Sequence, residues 1–384
     1  MKRATGTHVT TTTLGETVRA FVPHPLPPAE PVLSPLSYEV EHRAAELALG
    51  RLGAVSGLVP SVEWLVYSAV RKEAMLTSQI EGTQATLTDL FNQEAGIELS
   101  NRDDVEEVTN YMRAFGLVRD NLRDEQGLPL SVRLICDAHR ILLEGARGAN
   151  KQPGELRRSQ NWIGGSRPGN AVFVPPPPEH IVSLLSALEQ FIHTEPSALP
   201  PLVRIALIHA QFETIHPFLD GNGRLGRLLI TALLEHWHLL QEPLLYLSGY
   251  LKRNQNEYYR LLSATRLEGD WEAWVRFFLT GVTEAAAEAE RSVVDVATLI
   301  NADRRLLLDS PKAGSAAFRL FELLPTMPRF TVETARKNLE TTFPTANAAV
   351  KLLGELGIVT EMTGQRKNRT FSYQRYIALL SRDG

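Results

Sequence analysis

The chain has 384 residues, 43% of them hydrophobic and 22% charged, with a formal net charge of −4. That is enough for two or three domains of ordinary globular composition, and the charge balance excludes a protein that coats nucleic acid along its whole surface. Cys136 is the single cysteine, which excludes an intrachain disulfide and a cysteine-rich zinc site; no apolar run approaches membrane-spanning length and the first residues lack a signal-peptide apolar region, so a cytoplasmic protein is expected.

Residues 1–37 hold Thr10–Thr13 and a Pro-rich run from Pro23 to Pro35, which predicts a tail or extended arm. From Ser37 the pattern turns helical, with Ala45, Leu47, Leu49, Leu52 and Val55, until Pro60 breaks it. Ser61 is the expected N-cap of a second helix over about Val62–Ile80. That helix ends in Thr77-Ser78-Gln79-Ile80-Glu81-Gly82, where Gly82 suits a C-cap. A carboxylate at a helix C-terminus opposes the dipole, so Glu81 is either a solvated end residue or is held there by something else. A short helix at Leu87–Phe91 completes an N-terminal helical region assigned to residues 38–100. Longer helices follow at Asp103–Leu122 and Leu130–Leu143, with Cys136 as a core residue. Trp162–Gly165 and Ala171–Val174 flank a Gly/Pro turn, a hairpin signal in an otherwise helical chain. Ile181–His193 is helical again.

The chemistry concentrates in His216-Pro217-Phe218-Leu219-Asp220-Gly221-Asn222-Gly223-Arg224-Leu225-Gly226-Arg227. Apolar residues at helical spacing precede it (Leu202–Ile215) and follow it (Leu225–Leu240), so two helices meet at a short loop. Gly221 and Gly223 allow backbone conformations that turn successive N–H groups toward one point, at the N-terminus of the second helix, which is a place that binds anions. Arg224 and Arg227 stand one turn apart, and guanidinium forks suit phosphate oxygens. Asp220 is a hard oxygen ligand beside them, suited to Mg²⁺ bound together with phosphates. His216 sits where the first helix ends, free to take a proton near neutral pH.

The pattern His-x-Phe-x-Asp-Gly-Asn-Gly-Arg-x-x-Arg resembles the signature of the Fic family, without a mismatch. The resemblance covers roughly residues 40–295 and implies an all-α core, residues 101–299, with a small β-hairpin flap. It implies that His216 deprotonates a target hydroxyl, which attacks the α-phosphate of ATP, and that AMP moves to a protein. Gly221, Asn222, Gly223, Arg224, Gly226 and Arg227 then bind the nucleotide, Asp220 holds Mg²⁺, and Phe218 anchors the loop. Thr77-x-x-x-Glu81-Gly82 resembles the family's inhibitory motif, whose Glu pairs with the second signature Arg, here Arg227. Pro153-Gly154-Glu155-Leu156-Arg157 through Pro178 resembles the flap that covers the site and pairs with an extended target segment. Of the neighbouring Tyr258 and Tyr259, Tyr258 is assigned to close the base pocket and Tyr259 to pack inward.

Residues 311–384 read as a separate unit. Helices at Ala316–Leu324, Thr331–Leu339 and Ala346–Leu356 precede two short alternating stretches, and this resembles a winged helix. From Ser310 onward there are eleven Lys/Arg against six Asp/Glu, net +5, against −9 for the remainder. Lys351, Arg366, Lys367 and Arg369 are placed on the recognition helix and wing, the footprint of a DNA-contacting module. A docking or dimerisation module with solvated charges is favoured over DNA. The expected activity is ATP- and Mg²⁺-dependent AMP transfer to a Tyr, Ser or Thr hydroxyl, including the chain's own, restrained by Glu81. Removal of AMP, transfer of another nucleotide or phosphate, and a ligand-sensing DNA-binding regulator are the alternatives.

Overall fold

A computed structural model of the chain describes residues 3–97, 99, 101–145, 148–365 and 369–382. It opens with a hairpin, β1 (Gly6–Thr13) and β2 (Glu16–Pro23), in antiparallel register from Gly6↔Pro23 to Thr13↔Glu16. This corrects the expectation of an extended arm. The stretch is rich in β-branched residues, which fit a pleated surface. Leu14 and Gly15 both take positive φ, 49° and 78°, the geometry of a two-residue hairpin turn. Phe21 and Ala20 are buried, and the Phe21 N–H donates to the Val174 carbonyl at 2.9 Å. The hairpin therefore backs the 160–174 segment. The Pro-rich stretch then turns inward at the buried Leu33 and Tyr38.

The remainder is mainly helical: α1 (Glu39–Val55), α2 (Val62–Ile80), α3 (Leu87–Glu94), α4 (Arg102–Arg123), α5 (Val132–Leu142), α6 (Pro178–His193), α7 (Pro201–Ile215), α8 (Asn222–His236), α9 (Ser248–Arg253), α10 (Gln255–Leu267) and α11 (Trp271–Leu308). Pro178 and Pro201 start α6 and α7 at positions where a missing N–H costs nothing. Every residue of α7 from Leu202 to Ile215 is buried. Such a helix lies at the centre of a core instead of at its edge, and α8 packs against it through Leu225, Leu228, Leu229 and Leu233. α2 is buried from Lys72 to Ser78, so its C-terminal half is a core element that ends beside α8.

The C-terminal part comprises α12 (Ser315–Leu323), β3 (Arg329–Thr331), α13 (Val332–Leu339), α14 (Phe343–Glu355), β4 (Thr360–Glu361), β5 (Thr370–Ser372) and α15 (Gln374–Leu380), with sheet order β3-β5-β4. Helices α12, α13 and α14 and strands β4 and β5 fall where the sequence places helices and alternating stretches, and β3 and α15 are added to them. Lys351 lies on α14, paired with Glu355, and Arg369 donates to Asn347 at 3.1 Å; Arg366 and Lys367 lie outside the described residues. The unit is joined to the rest more tightly than a separate module. Asp303 of α11, fully buried, accepts the Tyr373 hydroxyl at 2.7 Å and Arg375 at 2.6 Å. Arg329 of β3 donates to Asn92 of α3, and the buried Tyr376 reaches the Ser68–Arg71 face of α2. Cutting the chain after Ser310 strands Asp303 and uncovers apolar surface, at about 1.5–3 kcal/mol for each large side chain laid bare. The truncated protein is expected to unfold at a clearly lower temperature than the full chain in a calorimetric scan; an unchanged midpoint would show the unit to be independent.

Candidate active site

The loop between α7 and α8 is fixed by contacts from three directions. α7 ends at His216, which takes a left-handed conformation, φ 50° and ψ 61°; this is uncommon for a residue with a side chain and a mark of a constrained position. Pro217 stops the helix. Phe218 is fully buried and stacks on the His139 ring of α5, centroids 3.8 Å apart and 17° between planes. The Asn222 side chain closes the loop on itself. Its Oδ1 accepts the Phe218 N–H at 2.9 Å, and its Nδ2 donates to the Phe218 carbonyl at 2.9 Å. Gly221, φ 75°, caps α8 and donates to Asp220 Oδ1 at 2.6 Å. The first turn of α8 thus begins at the loop, and its leading N–H groups have no intrahelical acceptors.

His139 and Arg157 hold this loop from outside. The Asp220 carbonyl can only accept, so His139 Nε2 carries the hydrogen that reaches it at 3.0 Å. His139 Nδ1 then accepts the Gly154 N–H at 2.9 Å. Burial pushes the imidazole down to about 4, and it is neutral. Arg157 Nε donates to the His216 carbonyl at 2.8 Å, its Nη2 to Pro176 at 2.6 Å, and its main-chain N–H to Pro217 at 3.0 Å. The base of the flap is thereby tied to the loop between α7 and α8. The flap itself is a narrow hairpin: a single bridge joins Ile163 and Phe173, with Ile163 N–H donating to the Phe173 carbonyl at 2.8 Å.

Two guanidiniums are turned to the mouth of the loop from α8. Arg224 is buried, with Nη1 3.4 Å from Glu107 Oε2 and Nη2 3.8 Å from Asp220 Oδ1. Arg227, also buried, donates from Nε to Thr77 Oγ1 at 2.6 Å and from Nη2 to the Thr77 carbonyl at 3.1 Å and Glu81 Oε1 at 2.5 Å. Glu81 is the residue that ends α2, followed by Gly82 at φ +99°, and it finds in Arg227 the compensation its helix end lacks. Burial by itself would raise the Glu81 carboxyl; Arg227, and then Arg224, outweigh it and hold the group below the usual carboxylate range. A Cβ at Gly223 would lie 2.3 Å from Glu81 Oε1 and 3.0 Å from Arg227 Nη1, so a side chain there would displace the Glu81–Arg227 pair. Burial, followed by the Arg266 and Arg157 guanidiniums, pushes His216 down to about 3. It therefore stands as the neutral imidazole, the form that accepts a proton.

The sequence-selected residues fall into two groups. His216, Asp220, Gly221, Gly223, Arg224, Arg227 and Glu81 converge on one mouth. Asn222, Gly226 and Tyr258 do not offer their side-chain positions to a ligand. Both polar ends of Asn222 are used within the loop. Gly226 faces α7, where a Cβ would meet Glu213 Oε1 at 2.6 Å and Phe212 at 3.2 Å; it permits helix packing. Tyr258 is 1% exposed and donates its hydroxyl to His209 Nε2 at 2.8 Å, while His209 Nδ1 donates to the Gly226 carbonyl at 3.1 Å. Tyr258, assigned to the base pocket, is therefore the one that packs inward. Tyr259 is 44% exposed, with its hydroxyl 3.5 Å from Gln255, which donates to the Ile80 carbonyl beside Glu81. His139 carries no functional signal in the sequence, because a histidine on an apolar helical face reads as a core residue. Among the described residues no group of three or more His, Cys, Asp or Glu could hold a metal. The lone Asp220 carboxylate, 45% exposed, suits a hard cation that fills its shell with phosphate oxygens and water.

Residues 40–118 match the Fic/DOC family N-terminal domain and residues 129–234 the Fic/DOC family domain. A protein adenylyltransferase Fic of Drosophila yakuba is 30% identical over 207 residues, covering 52% of this chain and 37% of that protein. Its counterpart in Drosophila grimshawi is 33% identical over 158 residues, covering 40% and 28%. The chain thus spans only 37% and 28% of the length of these two curated relatives. Among solved structures, a Fic family protein from Desulfovibrio desulfuricans superimposes with a TM-score of 0.52 at 21% identity, covering 86% of this chain and 95% of that one. Fic-1 from C. elegans gives 0.51 at 19% identity, covering 68% and 73%. No helix among the described residues is long and apolar enough to cross a membrane.

Proposed function

We propose, for a chain that belongs to the Fic/DOC family, that it transfers AMP from ATP to a side-chain hydroxyl of a protein and that Glu81 restrains this activity. The observation that carries the reading is the neutral His216 at the edge of a loop whose positive-φ glycine, first-turn amides and two arginines face one mouth. A triphosphate seated there would have its oxygens met by backbone N–H groups and by guanidinium forks. His216 accepts the proton of the incoming hydroxyl. The oxygen forms its bond to the α-phosphorus, the bond from that phosphorus to the bridging oxygen breaks, and pyrophosphate leaves. Catalysis of this kind rests on alignment and on charge stabilisation by groups already in place. Mg²⁺, held at Asp220 together with phosphate oxygens, would neutralise charge on the departing group.

The reading is tested with purified protein, Mg²⁺ and ATP labelled on either the α- or the γ-phosphate, in the presence of cell lysate. Protein-bound α label supports it. Protein-bound γ label would make the chain a phosphotransferase, and no transfer combined with DNA affinity that is lost on mutating Lys351 and Arg369 would make it a regulator. Asp220→Ala is expected to slow transfer at least about 10²-fold, the scale for removing one preorganised charge-stabilising group, and to flatten the dependence on Mg²⁺ concentration. An unaltered Mg²⁺ titration would remove Asp220 as the metal ligand.

A further inference from the structure

We propose that His139 is the positioning residue that presents Asp220 to the cation, a role that rests on the reading of the mouth as a Mg²⁺–ATP site. His139 is fully buried on α5, outside the signature, and contacts the loop at two points. Its Nε2–H holds the Asp220 carbonyl at 3.0 Å, and its ring lies flat on Phe218 at 3.8 Å. A third contact, Gly154 N–H to Nδ1 at 2.9 Å, fixes the tautomer: with Nδ1 occupied as an acceptor, the hydrogen must sit on Nε2. The Asp220 side chain is half-exposed, with Oδ1 engaged by the adjacent Gly221 N–H at 2.6 Å and 3.8 Å from Arg224 Nη2. Anchoring the carbonyl sets the peptide plane from which the carboxylate projects. Partners that orient a ligating group in this way typically change metal affinity by about 10–100-fold when lost.

The two hydrogen bonds can be separated by side-chain length. His139→Phe keeps the ring stack and loses both. His139→Gln can reach the Asp220 carbonyl with its amide N–H, whereas His139→Asn is a bond shorter and reaches only Gly154. The test uses the full chain carrying Glu81→Gly, so that Arg227 is open to phosphate. Calorimetric ATP binding is measured as a function of Mg²⁺, together with hydrogen exchange of the amides at residues 218–223. The Phe and Asn variants are expected to need about tenfold more Mg²⁺ for half-maximal ATP binding, with exchange in the loop faster. The Gln variant is expected to stay near the parent. Equal behaviour of Gln and Asn, or an unmoved Mg²⁺ requirement in the Phe variant, overturns the proposal and leaves His139 a packing residue. Should the Phe variant not fold, the Gln–Asn contrast still decides. A parent that binds Mg²⁺–ATP but transfers no α label overturns the functional reading alone, and one that binds no Mg²⁺–ATP overturns both.

Discussion

His216→Ala is expected to lower AMP transfer by about 10²–10⁴-fold, the range for removing a positioned general base, while ATP binding stays near the parent. The side chain supplies a proton acceptor and little core volume, since the apolar contacts of the loop belong to Phe218. Its left-handed backbone is the complication, because alanine resists φ near 50°. His216→Asn serves as the second variant: asparagine tolerates that conformation but cannot act as the base, so it should be as inactive as alanine and more stable. The pH profile gives an independent check. Burial holds the free-protein imidazole down at about 3. It is therefore neutral throughout the working range, and kcat/KM should show no acid limb between about pH 5 and 7 from this group, because that quantity reports the free enzyme. Transfer at the parental rate by either variant would remove His216 from the chemistry.

The parts of the site that were legible in the sequence are those whose meaning is local. The α7–loop–α8 unit announces itself because helical periodicity stops at His216 and restarts at Leu225, with glycines between. Glu81 was legible for a similar reason: an acid at a helix C-terminus is out of place, and the structure supplies Arg227 as its partner. What the sequence left open are relations between distant segments. Tyr258 and Tyr259 are consecutive, about 100° apart around the helix, and the neighbouring Leu261 and Leu262 support either as the inward one. Gly223 and Gly226 look alike until their neighbours are known; one makes room for Glu81 and the other for α7. The N-terminal threonines read as an arm because Leu14-Gly15 is not a common turn pair, and because the surface that receives β2 is built from Phe173 and Val174, some 150 residues away. The docking of the C-terminal unit through Asp303 likewise depends on residues whose spacing carries no signal.

Glu81→Gly is expected to raise transfer, to the chain itself and to targets, by about ten- to a hundredfold. In the structure Arg227 gives its Nη2 to Glu81 at 2.5 Å and its Nε to Thr77 at 2.6 Å, so these donors at the mouth are taken up by α2 and are not free for a phosphate. A charge-assisted hydrogen bond is worth about 1.5–3 kcal/mol, and the partial exposure of Glu81 places this one toward the lower end. At about 1.4 kcal/mol per factor of ten, that is the expected gain. Glycine at 81 adds no catalytic group, so an increase can come only from release of Arg227 and of the space in front of Gly223. Arg227→Ala should not mimic it, because the same change removes the phosphate ligand, and the double variant should behave as Arg227→Ala alone. The sign of the pH dependence follows from the depressed Glu81 carboxyl. The pair is complete above the ordinary carboxylate range and is lost only as the pH falls through the lowered value. Inhibition should therefore be constant between about pH 6 and 9, where free carboxyls are already ionised. Auto-modification rates for the four proteins, measured with α-labelled ATP across that range, decide the matter. A Glu81→Gly protein no faster than its parent would make Glu81 a structural helix end, or a contributor to hydrolysis of AMP-modified targets.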